Sequence, residues 1–247
     1  MPSVRFSRSL SIIALGAALL AAAPVTAETL VVRASGPSAG VFSAGKKLAD
    51  GSSVTLKDGD VLTLLDGRGT RTLRGPGVFG ASASATGGGN TSIASFIGAR
   101  TTTRARTGAV RGGLTPTVPR SPNLWYVDIS NPATTCIADP ANVKLWRPSS
   151  TEAATLAIMG KGGKGSAAFE AGQSVAAWPV GVPVTEGATY QLSGAGLTSA
   201  VTLRFTLLAA GGEGLESTAS TLIARKCDAQ LNLLIETVAL PDPAPDS

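Results

Sequence analysis

Apolar and polar positions alternate most clearly over residues 48–79, LADGSSVTLKDGDVLTLLDGRGTRTLRGPGVF. Val54 and Leu56 skip a residue, as do Leu62 and Leu64, and Leu73 follows. Period-two spacing puts these side chains on one sheet face and Ser, Thr, Lys and Arg on the other. Asp50-Gly51, Asp58-Gly59, Asp66-Gly67 and Gly75-Pro76-Gly77 punctuate the runs. Asp-Gly supplies the positive φ of tight hairpin turns, so the stretch predicts a small antiparallel β meander. Leu30, Val31 and Val32 predict a strand before it.

A second β region begins at Leu124 with LWYVDIS, followed by NVKLWRP at 142–148. Further runs at 155–159, 166–170, 174–178, 189–193 and 200–207 are separated by Gly, Pro or Asn. Short strands at this spacing predict a β-sandwich or barrel of about seven strands. After Gly214 the period lengthens. Leu215, Ala219, Leu222 and Ile223 form one helical stripe, and Leu231, Leu234, Ile235 and Val238 form another. Asp228 is placed to cap the second helix. The expected fold is mainly β: a small N-terminal meander over 28–80, then a linker over 81–123. A C-terminal β-sandwich closed by helices follows over 124–240, with a disordered tail over 241–247.

Residues 1–27 read as a secretory signal peptide. Arg5 and Arg8 precede an apolar run, LSIIALGAALLAAA, then Pro24 and the small-residue cleavage site Val25-Thr26-Ala27. The run is shorter than the roughly 20 residues of a spanning helix. The expected product begins at Glu28, is periplasmic or secreted, and has no stable membrane insertion after cleavage.

Composition narrows the chemistry. The chain of 247 residues has no histidine, which removes the usual base of Ser and Cys hydrolases and the commonest metal ligand. Its net charge of +5 includes Arg5 and Arg8 of the leader. No nucleic-acid-binding module accompanies that small excess, so nucleic acid is not an expected partner. Residues 81–123 are rich in Gly, Ser and Arg. Arg100, Arg104, Arg106 and Arg111, with Arg120 beyond, are candidate anion contacts, because guanidinium forks match phosphate geometry. A solvated linker, cut first by proteases between two separable β units, is the blander account.

Several motifs fall short of their chemistry. Gly40 to Lys47 spells GxxxxGK, but Lys47 replaces the hydroxyl that magnesium requires. Ser43 to Lys46 spells SxxK without the helix that would bring hydroxyl and amine together. Asp58-Gly59-Asp60 offers carboxylates to calcium, yet turn formation accounts for them. Gly160 to Ser166, GKGGKGS, offers backbone N–H groups and two lysines to an anion, or forms a flexible hairpin loop. Trp125, Trp146 and Trp178 sit in the sandwich region among apolar neighbours. Core packing explains them, with Trp178 beside Pro179 kept as a candidate ligand-stacking platform.

The run VTLKDGDVLTLLDGRGTRTL resembles the extracytoplasmic FecR-like domain, whose Gly-punctuated strands carry a Gly-Asp-x-Leu-x-Thr step. Gly59, Asp60, Leu62 and Thr63 correspond to it, with Thr63 one position early. The likeness covers residues 30–79. The family's anti-sigma segment and membrane span have no counterpart here. The resemblance therefore implies a periplasmic β module used in sensing or interaction.

Two functions stand against each other. One is an exported non-enzymatic envelope module that binds, senses or scaffolds an envelope protein or an anionic polymer, with no cofactor. The other is an exported hydrolase acting on cell-wall polymer or glycan through paired carboxylates drawn from Asp128, Asp139, Glu152, Glu170 and Glu186. Cys136 and Cys227 are the only cysteines. Export delivers them to an oxidising compartment. A pair of thiols without histidine makes a poor zinc site, so a disulfide pinning the helices to the sheet is expected.

Overall fold

The computed structural model describes residues 28–82, 97, 119–209 and 214–240. The expected signal peptide, most of the linker with Arg100, Arg104, Arg106 and Arg111, and the tail over 241–247 lie outside them.

The N-terminal unit holds β1 (Glu28–Ser35), β2 (Lys47–Ala49), β3 (Ser53–Leu56), β4 (Val61–Asp66), β5 (Gly69–Arg74) and β6 (Gly77–Gly80). Strands β2-β1-β4-β5 make an antiparallel sheet, and β3 pairs with β6 in a separate ribbon. The pairing is thus not the consecutive meander that the turns suggested. Of the Asp-Gly turns, only Asp66-Gly67 closes a hairpin, between β4 and β5. Those at Asp50 and Asp58 carry the chain from sheet to ribbon and back. The skipped apolar residues do share a face. Val54, Leu56, Leu62, Leu64 and Leu73 bury against one another between sheet and ribbon.

The opposite face of that sheet is not a solvent face. The register of β1 on β4 shifts between Val31 and Arg33, a bulge that re-aims the strand. Val31 and Ala34 point to the ribbon, while Leu30 and Val32, with Leu65 of β4, point the other way.

The second unit holds β7 (Val127–Asp128), β8 (Thr134–Ile137), β9 (Lys144–Trp146), β10 (Ala154–Gly160), β11 (Gly163–Phe169), β12 (Val175–Ala177), β13 (Thr189–Gly194) and β14 (Val201–Leu207). A five-stranded sheet, β11-β10-β13-β14-β8, packs over a three-stranded one, β12-β9-β7, around Leu156, Ile158, Leu192, Leu203, Phe205 and Leu145. Strand β8 had no counterpart in the sequence pattern. It is short, lies between Pro132 and Pro140, and joins the sheet edge in parallel with β14. Cys136 is therefore in a strand.

Helices α1 (Leu215–Arg225) and α2 (Asp228–Thr237) follow. Lys226 takes the left-handed conformation, and the N–H groups of Lys226 and Cys227 return to the carbonyls of Ile223 and Leu222, closing α1. Because this turn runs straight into α2, Cys227 occupies the cap position and Asp228 is the first helical residue. Asp228 still favours the positive end of the helix dipole, but it is not the cap expected of it. The helices close the β structure by bridging its two units. Ala219, Leu222, Leu234 and Val238 pack on Leu30, Val32 and Leu65 of the first unit and on Leu124 and Cys136 of the second. Thr70 extends this union. Its N–H donates to Val238 O at 2.9 Å, and its carbonyl accepts from the Leu240 N–H at 2.8 Å, so the chain end pairs with the edge of β5.

Candidate functional site

Cys136 of β8 and Cys227 of the helix junction form a disulfide with a Cα–Cα distance of 5.9 Å. Both are fully buried. Beside the bridge, Gln230 reaches from the first turn of α2 to the free side of β8. Its carbonyl accepts the Cys136 N–H at 2.6 Å, and its amide donates to the carbonyls of Cys136 and Leu124, each at 3.0 Å. The side chain thus acts as a substitute strand, satisfying an edge that would otherwise be buried unpaired. Nothing in the sequence pattern singled it out. The one available signal was a polar residue next to Leu231 on an apolar helical stripe. This site holds the two units together and leaves both sulfurs in the bridge, so its role is architectural.

Asp60, the acidic residue of the FecR-like step, is buried between the β1–β2 connection and the β3–β4 turn. Its carboxylate accepts the Ser38 N–H at 2.8 Å and the Lys57 N–H at 2.6 Å. The Ser38 hydroxyl, joined by those N–H groups, holds its carboxyl below the ordinary value of 3.8, against the opposite pull of burial. Gly36 lets the connection approach: at its φ of +99° a side chain is strained, and a Cβ would meet Gly59 O at 2.6 Å. Asp60 is a staple, as the turn reading expected, but its main partner is 22 residues away. Among the described residues, no group of three or more His, Cys, Asp or Glu side chains is placed to hold a metal.

Trp178 is not a stacking platform. It is 8% exposed, its ring meets Tyr190 and Phe205 with centroids 4.9 Å away, and its Nε1 donates to Val182 O at 2.8 Å. Trp146 is buried too, and Trp125 donates its Nε1 to Ile97 O at 2.6 Å. Arg120, at the end of the basic stretch, pairs with Glu236 at 3.2 Å.

The candidate carboxylates do not form one cluster of shared partners. Asp128 caps its own turn at Ser130, Asp139 accepts from Ala141 N–H and Asn142, and Glu186 accepts the Leu207 N–H. Glu152 and Glu170 do come together at their backbones, around the buried Arg147. Its Nη2 donates to Glu152 O at 2.6 Å and Glu170 O at 3.2 Å, and its Nε donates to Gln173 O at 3.0 Å. The guanidinium also lies 4.8 Å from the centroid of the Phe169 ring. Carbonyls and an aromatic face compensate its charge here, which ties both loops to the sandwich.

No protein-family model, curated protein or solved structure matches the chain. An open depression of about 520 Å³ lies on the outer face of the five-stranded sheet, lined by Ala157, Met159, Lys164, Ser166, Gln191 and Ser193. Alternation places these side chains outward while Leu156, Ile158, Ala167 and Leu192 point to the core. Helix α2 covers this face only at its β8 edge, through Gln230. No Asp or Glu occurs in β10, β11, β13 or β14, whereas Lys164 and Arg204 are exposed there. A smaller cleft of about 350 Å³ lies between β1, the β1–β2 connection and the helix junction, lined in part by Arg33, Ser43, Asp228 and Asn232. Arg33 and Asn232 are joined by a hydrogen bond across it. Ser43 of the SxxK match lies in a connection of turns, not on a helix.

Proposed function

We propose that this chain is an exported, non-enzymatic envelope module that binds or scaffolds a partner, periplasmic or secreted, as the FecR-like resemblance of residues 30–79 implies. The outer face of the five-stranded sheet carries the reading. It is broad, mixes Ala157 and Met159 with Ser166, Gln191 and Ser193, has no carboxylate along four strands and is bordered by cations, which suits an anionic partner, polymer or protein. The rest of the fold supports such a role. A disulfide and a shared core hold the helices against both β units, so the face is presented on a rigid body.

Glu152 and Glu170, whose backbone carbonyls share the Arg147 guanidinium, are the pair on which the hydrolase reading is tested. Purified protein is to be incubated with peptidoglycan and envelope glycans, with release of soluble fragments measured. Alongside, the protein immobilised on resin is to capture components of an envelope extract. The module reading expects no fragment release, and capture that weakens in Ser193→Glu and Arg204→Glu. Turnover that disappears in Glu152→Gln or Glu170→Gln would establish the hydrolase instead.

A further inference from the structure

One end of the sandwich has a surface that the rest of the fold does not use. The β10–β11 hairpin turns through Lys161 and Gly162, between the paired Gly160 and Gly163. This is the glycine run that the pattern read as a flexible loop. Its glycines instead allow close packing against the loop of Pro179, Val180, Gly181, Val182 and Pro183. A Cβ on Gly163 would meet Gly181 O at 2.3 Å, and one on Gly165 would meet Pro179 Cβ at 2.9 Å. That loop is also held from inside the molecule. The Val182 N–H donates to Pro179 O at 3.1 Å, the Trp178 indole donates to Val182 O, and the Tyr190 hydroxyl donates to Pro183 O at 2.6 Å. Val182 is buried in the core, while Val180, two residues earlier, is fully exposed. On the other side of the hairpin Met159 is 59% exposed beside Lys164, its cross-strand partner. The result is a fixed tip with Lys161 at its turn, Val180 exposed on the loop packed against one side of the hairpin, and Met159 exposed with Lys164 on the other.

We propose that this tip docks the protein on an anionic lipid surface, with Lys161 and Lys164 on the headgroups and Val180 entering the acyl boundary. This names a partner for the proposed module and rests on that reading. Apolar side chains on a loop held rigid gain by leaving water, and lysines beside them gain from an anionic leaflet. An acidic polymer would use the lysines but give Val180 no apolar surroundings, so the exposed valine favours lipid. Trp178, once a ligand candidate, is in this account a positioning residue that holds the tip from beneath.

The test is co-sedimentation with vesicles of phosphatidylglycerol and phosphatidylethanolamine, against vesicles of phosphatidylcholine. Binding to the anionic vesicles alone is expected, falling as salt is raised. Lys161→Ala with Lys164→Ala should lower partitioning about 25-fold, and Val180→Ser about tenfold. All three side chains are exposed, so thermal melts of the variants should match the parent and exclude misfolding. Failure of the parent to bind anionic vesicles, or unchanged binding by the variants, overturns the proposal. Binding to a soluble acidic polysaccharide that Val180→Ser leaves intact, without vesicle binding, assigns the tip to polymer and overturns the lipid assignment. Capture of envelope components by a protein that ignores vesicles would leave the module reading standing while this inference falls.

Discussion

The N-terminal sheet and the five-stranded sheet treat their two faces differently. In the first, β1 has the buried run Leu30-Val31-Val32, and β4 buries Leu62, Leu64 and Leu65 on both sides. One face meets the β3–β6 ribbon, the other the helix pair, and even Thr29, Thr63 and Thr70 are buried. In the second, β10 and β13 alternate strictly, with Leu156, Ile158, Tyr190 and Leu192 inward and Thr155, Ala157, Met159, Gln191 and Ser193 outward, and helix α2 reaches the sheet at its β8 edge. A sheet covered on both faces reads as a continuous apolar run, and one covered on a single face as alternation. The contrast separates the part of the molecule that is spent on architecture from the part left for a partner.

The largest test of this contrast is to cut the covalent tie at the architectural end. Cys136→Ser with Cys227→Ser opens a loop with a sequence separation of 91. It is expected to cost about 4 kcal/mol, read as a lowered denaturant midpoint that reductant reproduces in the parent protein. The two β units should still unfold together, because Leu222 and Leu234 belong to one core with Leu30 and Leu65 of the first and Leu124 and Cys136 of the second. A first unit that melts separately would show that the shared core does not couple them. Cleavage within 83–118 is likewise expected to leave the fragments together in native gel filtration.

Next in size is Gln230→Met, which keeps the volume but removes the donors and acceptor that serve Cys136 and Leu124. Leaving these backbone groups buried without partners is expected to cost about 3 kcal/mol in urea denaturation.

A smaller effect depends on acid. Asp60 has a lowered carboxyl pKa in the folded protein, so its contribution is complete above the unfolded value near 3.8 and is lost as pH falls through the lower folded value. Asp60→Asn should lower the melting temperature by several degrees at neutral pH and flatten its decline below about pH 4. A parallel decline in parent and variant would remove Asp60 as the cause.

The smallest effect is expected on the open face. Ala157→Thr and Ser193→Thr, both outward on β10 and β13, should change stability by less than about 0.5 kcal/mol. A larger loss would mean that this face is engaged in the fold after all.

What the chain determined by itself is the local part. Alternation at Val54, Leu56, Leu62 and Leu64 marked a sheet face, and the 3.6-residue stripes of Leu215–Leu222 and Leu231–Val238 marked two helices. Two cysteines without histidine pointed to one bridge. These readings needed only the period of each element and the chemistry of its residue types. Pairing partners were decided in three dimensions. Asp-Gly turns bend the chain alike whether the next strand joins the same sheet or the ribbon, so sequence alone could not order β1 to β6. Strand β8 carries too few apolar residues to signal itself, and it exists because β14 offers it one edge while Gln230 serves the other. The Asp60 staple to Ser38, the Arg147 clamp and the closing of helices over Leu30 and Val32 are likewise contacts between segments far apart in the chain. Each depends on which surfaces meet, and a local pattern records only that a surface is there to be covered.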